Sequence, residues 1–159
     1  MDKKEALHLF AEYLQEKREA VLCQFVAGVR IQPTITTTDD WEKPKIQDEL
    51  SRLLDDLYEE LQNPGAPGPL EDALQSALAH GSQRWEQHYH QSELLGEFAV
   101  FREILMVHLS WFEESQPEID VPARLAIEVT VHRFLDQLMI QGASRFAKRV
   151  DEDRGQGRP

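Results

Sequence analysis

Three polar residues with the spacing of one helical stripe, His80, Arg84 and His88, are the first candidates for chemistry. Side chains four positions apart lie on the same side of a helix, so the two histidines suggest a metal site. The intervening guanidinium would repel a divalent cation, however, and no Asp, Glu or Cys completes a recognisable ligand spacing. We therefore predict no metal site, and we expect the His80 ring to pack and to hydrogen-bond a neighbouring loop.

Two further histidines raise the question of a cofactor. His108 and His132 lie on largely apolar faces of the last two expected helices, and in an all-helical sensor this suggests haem with a histidine axial ligand. A hydrogen-bonded core histidine is the commoner outcome, so we expect no cofactor and keep haem as the alternative. The chain has no glycine-rich phosphate loop and no nucleophile elbow, which predicts a domain without catalytic residues.

Glu97 and Arg102 interrupt the apolar run from residue 94 to residue 112. On a helix this run is apolar nearly all round, with Gly96 among the few residues facing water, so we expect a mostly buried central helix. Buried charges need paired, hydrogen-bonding partners. Because the two residues do not face each other along one helix, each must find its partner on a neighbouring helix or on a bound molecule. Arg84 is the candidate partner of Glu97.

This polar cluster has two interpretations. In the structural one, Arg84, Glu97 and Arg102 tie helices together. In the functional one, the same groups line a pocket for a small anion or polar ligand, whose walls would be the rings of Trp85, Tyr89, Phe98 and Phe101. We favour the structural interpretation, because buried pairs can hold one packing arrangement without binding anything.

A resemblance to a known family rests on residues 80 to 105. The pattern comprises His80-Gly81, Arg84, Tyr89, Leu94-Leu95, Glu97-Phe98, Arg102 and Leu105. It resembles the N-terminal domain of RsbRD-type stressosome proteins, which also stands at the N-terminus of many bacterial sensor histidine kinases. One departure is His88, where we expect a glycine in the family.

The resemblance implies a cytoplasmic, dimeric input domain for bacterial signalling, most naturally at the head of a sensor histidine kinase. The phosphorylated histidine and the ATP site would then lie in downstream kinase or signalling modules. Two alternatives remain open: a stressosome-like component that acts through protein contacts, and a globin-like sensor that binds haem or another small ligand.

Hydrophobic periodicity predicts an all-α fold, because nothing alternates with the strand period long enough to build a sheet. We expect a single-domain bundle of five main helices, with a globin-like arrangement as one possible form. The helices should run over residues 2 to 28, 44 to 61, 69 to about 88, 92 to about 113 with Ser92 as the N-cap, and about 122 to 150. Asp120 or Val121, followed by Pro122, should begin the last one. Residues 1–150 form the expected domain, and residues 151–159 a solvated tail or the start of a linker. The long loop 29–43 should be fastened to the bundle by Trp41.

Composition limits the partners. The 29 acidic and 17 basic residues give a net charge of -12, which disfavours nucleic acid and anionic lipid. No apolar stretch approaches the roughly 20 residues needed to cross a bilayer, so we expect no membrane insertion. The single cysteine, Cys23, excludes an internal disulfide and fits the reducing cytoplasm.

The expected last helix has two apolar faces. Either both are buried within the domain or one forms a homodimer interface. Arg145, Lys148 and Arg149 gather near its expected end, where cations oppose the negative end of the helix dipole. Gly96 and Gly142 are disfavoured inside helices, which predicts close helix packing at both.

Overall fold

The computed structural model describes residues 1–47 and 50–157, and every regular element in these ranges is a helix. In chain order they are α1 (Lys3–Glu16), α2 (Arg18–Ile31), α3 (Lys43–Gln47), α4 (Leu50–Gln62), α5 (Pro67–Glu86), α6 (Gln91–Ser115) and α7 (Val121–Gly155). The predicted all-α bundle is confirmed. The described ranges contain seven helical segments. α1 and α2 replace the first predicted helix, whereas α3 and α4 are the described parts of the second predicted helix on either side of residues 48 and 49.

The first predicted helix is divided at Lys17, whose backbone (φ -90°, ψ 8°) leaves the helical geometry. The two halves have different neighbours, since α1 packs against α4 and α7 whereas α2 packs against α6 and α3. Arg18 fixes the turn by donating to the Ser51 carbonyl at 2.6 Å and to the Asp55 carboxylate at 2.7 Å. A straight helix could not bury both apolar faces, so the chain bends between them.

The predicted central helix is α6, which packs against α1, α2, α5 and α7. Its burial is less complete than expected, because Val107 and Trp111 are 45% and 47% exposed. Gly96 departs from expectation in the opposite direction, since it is buried beneath Ile35 of the loop after α2. The central position is shared with α7, which contacts α1, α4, α5 and α6.

Helix α7 begins as predicted, with Asp120 as its N-cap accepting a hydrogen bond from the Ala123 N–H at 2.9 Å. It continues to Gly155, five residues beyond the expected end, so most of the predicted tail is the exposed last part of this helix. Arg158 and Pro159, the end of that tail, lie outside the described residues. Despite the 35 residues of α7, no helix in the described ranges is both long and apolar enough to cross a membrane.

Helices α5 and α7 approach closely at two glycines. A Cβ atom on Gly81 would lie 2.6 Å from the carbonyl oxygen of Gly142, and one on Gly142 would lie 3.1 Å from the Phe98 ring. The absence of side chains therefore lets the backbones of the two helices touch. Close helix packing at Gly142 is confirmed. At Gly96 the close neighbour is the loop residue Ile35 instead of another helix.

Candidate functional site

The candidate site is a buried ionic cluster centred on Glu97 of α6. Its carboxylate is 1% exposed, and Arg84 of α5 is 0% exposed. Arg84 Nε lies 3.1 Å from both Glu97 oxygens, so this N–H is shared between them. The predicted pairing of Arg84 with Glu97 is confirmed. It joins α5 to α6 just beyond the point where the turn 87–90 reverses the chain.

Two further side chains complete the hydrogen bonding of this carboxylate. His80 Nε2–H donates to Glu97 Oε2 at 2.8 Å, and the Tyr89 hydroxyl donates to Oε1 at 2.7 Å. Burial by itself would raise the pKa of Glu97, but the hydrogen bonds from His80 and Tyr89 and the positive charge of Arg84 outweigh it and lower the pKa. Burial and the Glu97 charge raise the pKa of Tyr89, which therefore remains a donor. Glu97 is thus a fully coordinated carboxylate anion.

Arg84 uses its other N–H groups to hold the chain around α3. Its guanidinium donates to the carbonyl oxygens of Lys45 at 3.2 Å and Ile46 at 2.9 Å, and to Gln87 Oε1 at 2.7 Å. The planar five-donor fork of arginine is suited to this kind of divergent bonding, which a lysine ammonium could not reproduce. One residue therefore connects α3, α5 and α6.

Aromatic rings cover the Arg84 guanidinium. Its central carbon lies 5.3 Å from the centroid of the Trp41 ring and 5.2 Å from that of Tyr89, and these two rings stack at 5.6 Å. Lys45 Nζ lies 4.0 Å from the centroid of Trp41. Each cation faces the negative side of a ring, and this attraction matters most for Arg84, which is buried, whereas Lys45 is exposed. The prediction that Trp41 fastens the loop to the bundle is confirmed, and its partner is the ionic cluster.

A second carboxylate on α6, that of Glu93, binds the same loop at Thr36 and Thr37. Its oxygens accept hydrogen bonds from the N–H groups of Thr36 at 3.0 Å and Thr37 at 2.9 Å, and from the Thr37 hydroxyl at 2.9 Å. They also accept from the His90 N–H at 2.8 Å. Burial tends to raise the pKa of Glu93, but these donors lower it. The loop contacts of Glu93 were not foreseen from the sequence, although a Glu in the first turn of a helix was a visible sign of a capping role.

The start of α6 corrects one prediction. The N-cap is His90 and the helix begins at Gln91, two residues before the position expected with Ser92 as the cap. Glu93 is the third residue of the helix, and its carboxylate accepts a hydrogen bond from the His90 N–H, as in a capping box. The start of α6 is therefore stabilised by the Glu93 side chain and not, as expected, by Ser92.

Four other predicted site residues lie outside the inner cluster. Arg102 is half-buried and bonds the Asp136 carboxylate of α7, so its partner is on a neighbouring helix as expected, but it is not desolvated. Phe98 is buried with its ring edge-to-face with His80 at 5.7 Å. Phe101 packs against Phe25 of α2, on another side of α6.

Trp85 is the fourth of these residues, and its half-buried ring lies 4.6 Å from the guanidinium carbon of Arg149. The four rings proposed as pocket walls thus do not enclose a common space with Glu97. Together with the full burial and hydrogen bonding of Arg84 and Glu97, this arrangement favours the structural interpretation of the cluster.

The candidate haem ligand His108 is a buried core residue. Its Nε2–H donates to Gln24 Oε1 at 2.8 Å, and its Nδ1 accepts from the Tyr13 hydroxyl at 3.3 Å. Burial lowers the pKa of His108, which keeps the ring neutral. Both ring nitrogens are therefore engaged by side chains of α1 and α2. His132 is half-buried on α7. Within the described ranges no three His, Cys, Asp or Glu side chains are grouped so as to hold a metal ion.

His88, the departure from the family pattern, has a left-handed backbone with φ 66°. Such a conformation after the end of a helix is the position where glycine is favoured. We expect His88→Gly to stabilise the fold by about 0.5 to 1 kcal/mol, because a left-handed L-residue costs roughly 1 to 2 kcal/mol and the added flexibility of glycine offsets part of the gain. Urea unfolding measures this difference.

The matched control for this prediction is His90→Gly, two residues further, where φ is -83°. Glycine relieves no strain there, so stability should stay the same or fall slightly. If His88→Gly were no more stable than His90→Gly, strain at position 88 would be ruled out.

We call the hydrogen-bonded group formed by His80, Arg84, Tyr89 and Glu97 the lock, because it holds α5 and α6 together. The Glu97 carboxylate accepts hydrogen bonds from Arg84, His80 and Tyr89, and Arg84 also donates to two backbone carbonyls and to Gln87. Among the described residues, the buried His80 Nδ1 has no hydrogen-bond partner. Comparison of the chain with protein-family models, with curated proteins and with solved structures finds no match. Functional interpretation therefore depends on this geometry and on the residue pattern from His80 to Leu105.

Proposed function

We propose that this chain is a signal-input domain of a bacterial signal-transduction protein, similar to the RsbRD-type N-terminal domain, and that it acts as a homodimer at the head of a sensor histidine kinase. In this proposal the domain itself is not an enzyme. Its role is to convert a change in helix packing into a movement of whatever follows α7.

The observation that supports this proposal is the meeting of the pattern residues in space. His80, Arg84 and Tyr89 come from α5 and the turn after it, up to 17 residues before Glu97 of α6, yet all three side chains bond the Glu97 carboxylate. If the sequence pattern matched the family by chance, these residues would not be expected to bond one another. Their convergence gives the pattern a physical reason, which is to lock α5 and α6 in one arrangement.

The lock lies next to the helix that would carry the signal. Phe98 connects the two, since its ring packs against His80 of the cluster and would lie 3.1 Å from a Cβ placed on Gly142 of α7. A packed interior cannot deform continuously, so a change in the lock would be passed on as a discrete shift of α7. Such a shift reaches the C-terminal end of the domain directly.

A surface on α6 and α7 supports the dimer. Among the described residues, six of the seven large apolar side chains that are exposed lie on these two helices: Val107, Trp111, Val121, Leu125, Val129 and Ile140. The two helices run antiparallel, because Arg102 meets Asp136 while Arg124 meets Glu113. These ion pairs neutralise charge within the surface, so a second copy can approach in spite of the net charge of -12.

We expect the pair of substitutions Leu125→Glu and Val129→Glu to convert the dimer into a monomer. Both side chains are exposed on one stripe of α7, so folding should persist, whereas two carboxylates placed in an apolar interface would be desolvated at a cost of several kcal/mol each. Light scattering coupled to gel filtration should then give the mass of one 18.4 kDa chain instead of two.

The control for the dimer is Ile31→Glu, which alters the one exposed apolar side chain of this set outside α6 and α7. Its mass should remain that of the dimer. A wild-type chain that is monomeric throughout the accessible concentration range would contradict the dimer, and equal effects of Ile31→Glu and the α7 pair would contradict its location.

The signalling role is tested in the full-length protein. The gene is expected to encode a kinase module after residue 159, and autophosphorylation of that module should fall with the Leu125/Val129 pair and persist with Ile31→Glu. A gene that encodes no output module there would rule out the input-domain proposal and favour a free-standing partner-binding protein.

A further inference from the structure

The cations near the end of α7 need a new explanation. Arg145, Lys148 and Arg149 were expected to oppose the helix dipole, but α7 continues to Gly155, about two turns beyond Lys148. The dipole effect falls off within the last turn of a helix. Arg149 is instead paired with Glu86 at 3.0 Å and lies over the Trp85 ring, so its position is explained by these contacts. Arg145 and Lys148 have no ion-pair partner among residues 1–47 and 50–157.

These two cations line one groove between α5 and α7. The groove has a volume of about 590 Å³, and its lining consists of Gln75, Leu78, Ala79, Ser82, Ser144, Arg145 and Lys148. Arg145 and Lys148 are three positions apart and so lie on the same side of α7. Arg145 is half-buried, which keeps part of its side chain in the groove. No acidic residue is present in the lining, although the chain has 29 of them.

We propose that this groove binds a small organic molecule bearing a phosphate-type oxyanion. Arg145 offers a fork of donors that matches phosphate geometry, and Lys148 adds a mobile positive charge. The hydroxyls of Ser82 and Ser144 are further donors, while Leu78 and Ala79 provide an apolar wall for an organic group. The volume lies within the range of small-molecule sites and exceeds what inorganic phosphate alone would fill.

The surroundings favour a small ligand over a macromolecule. Outside the groove the chain is strongly acidic, so an extended polyanion or an anionic membrane would be repelled wherever it passed beyond the two cations. A single oxyanion on a compact molecule meets only the positive part of the surface. The site lies apart from the Glu97 cluster and from the exposed apolar surface of α6 and α7. Its existence does not depend on the proposed signalling role.

The test is a calorimetric titration of the wild-type chain at low salt with phenyl phosphate, with inorganic phosphate and phenol as comparison probes. Phenyl phosphate should bind with a Kd below about 1 mM, more tightly than phosphate, and phenol should not bind. Raising the salt should weaken the interaction, because the two cations are accessible to solvent.

The double variant Arg145→Gln/Lys148→Gln should weaken phenyl phosphate binding at least about tenfold, since charge-assisted hydrogen bonds are lost. The matched control is Arg133→Gln/Arg154→Gln, which removes the same charge from exposed positions of the same helix and should leave the Kd unchanged. The proposal is overturned if phenyl phosphate does not bind, if phenol binds equally well, or if both double variants weaken binding alike. None of these results depends on dimer formation or kinase activity.

Discussion

Replacing Arg84 with alanine is expected to remove about 3 to 5 kcal/mol of folding free energy, a large part of the 5 to 15 kcal/mol typical of a domain. The reason is that Glu97, at 1% exposure, would remain buried without its cationic partner. The carbonyls of Lys45 and Ile46 would also lose their donor. Urea unfolding followed by circular dichroism measures the loss.

The control for this prediction is Arg102→Ala, which breaks an ion pair of the same chemical type on the same helix as Glu97. Because Arg102 and Asp136 are partly exposed to water, we expect a cost of no more than about 1 kcal/mol. Equal losses for the two alanine variants would mean that burial does not govern the strength of the Arg84 pair, and the account of the cluster would be wrong.

A second substitution measures how strongly Arg84 and Glu97 act on each other. When Glu97→Gln is combined with Arg84→Ala, the buried negative charge is removed together with its partner, so the double variant should be less destabilised than the sum of the two single changes. Strict additivity of the two free energies would show that the side chains do not act on each other.

The substitution Gly81→Ala is expected to destabilise the fold by about 2 kcal/mol, although alanine is the better helix former by about 1 kcal/mol. The new Cβ would lie 2.6 Å from the Gly142 carbonyl oxygen, a backbone atom that no side-chain rotation can move. Helices α5 and α7 would have to separate. For a chain of this size the melting temperature should fall by roughly 4 to 8 °C in calorimetry.

Gly155→Ala serves as the control, since a Cβ there meets no atom within 4 Å. Its stability should stay within about 0.5 kcal/mol of the wild-type value. If Gly81→Ala were as stable as Gly155→Ala, the close contact between α5 and α7 would be absent in solution, and the mechanical connection to α7 would fall with it.

Local features of the chain were enough to predict the helices and one partner. Periodic apolar residues give the all-α fold, and Asp120 marks the start of α7, because these signals act within a few residues. The pairing of Arg84 with Glu97 also followed from the sequence, since a charge on an apolar helix must be neutralised and few candidates were available. Close packing at Gly142 was predicted for a comparable reason.

The rest of the site depends on contacts between distant segments. Residues 36–46 hydrogen-bond Glu93 and Arg84, and Trp41 among them stacks on Tyr89, but no local pattern connects this segment with residues 84–93. Helical phase alone could not distinguish Gly96, which Ile35 covers, from Trp111, which faces water. It also could not show that Phe101 points towards α2 and away from the cluster.

Composition and periodicity thus establish which segments are helical and which charges require partners, because both depend on neighbours along the chain. The tertiary arrangement alone establishes which partner each charge receives and which apolar face of α6 and α7 is exposed. It also establishes which cations along the α5/α7 groove have no ion-pair partner within the described part of the chain. The physical reason is that burial depends on how the whole chain packs. It is the burial of Glu97 that makes this carboxylate require the partners that form the lock.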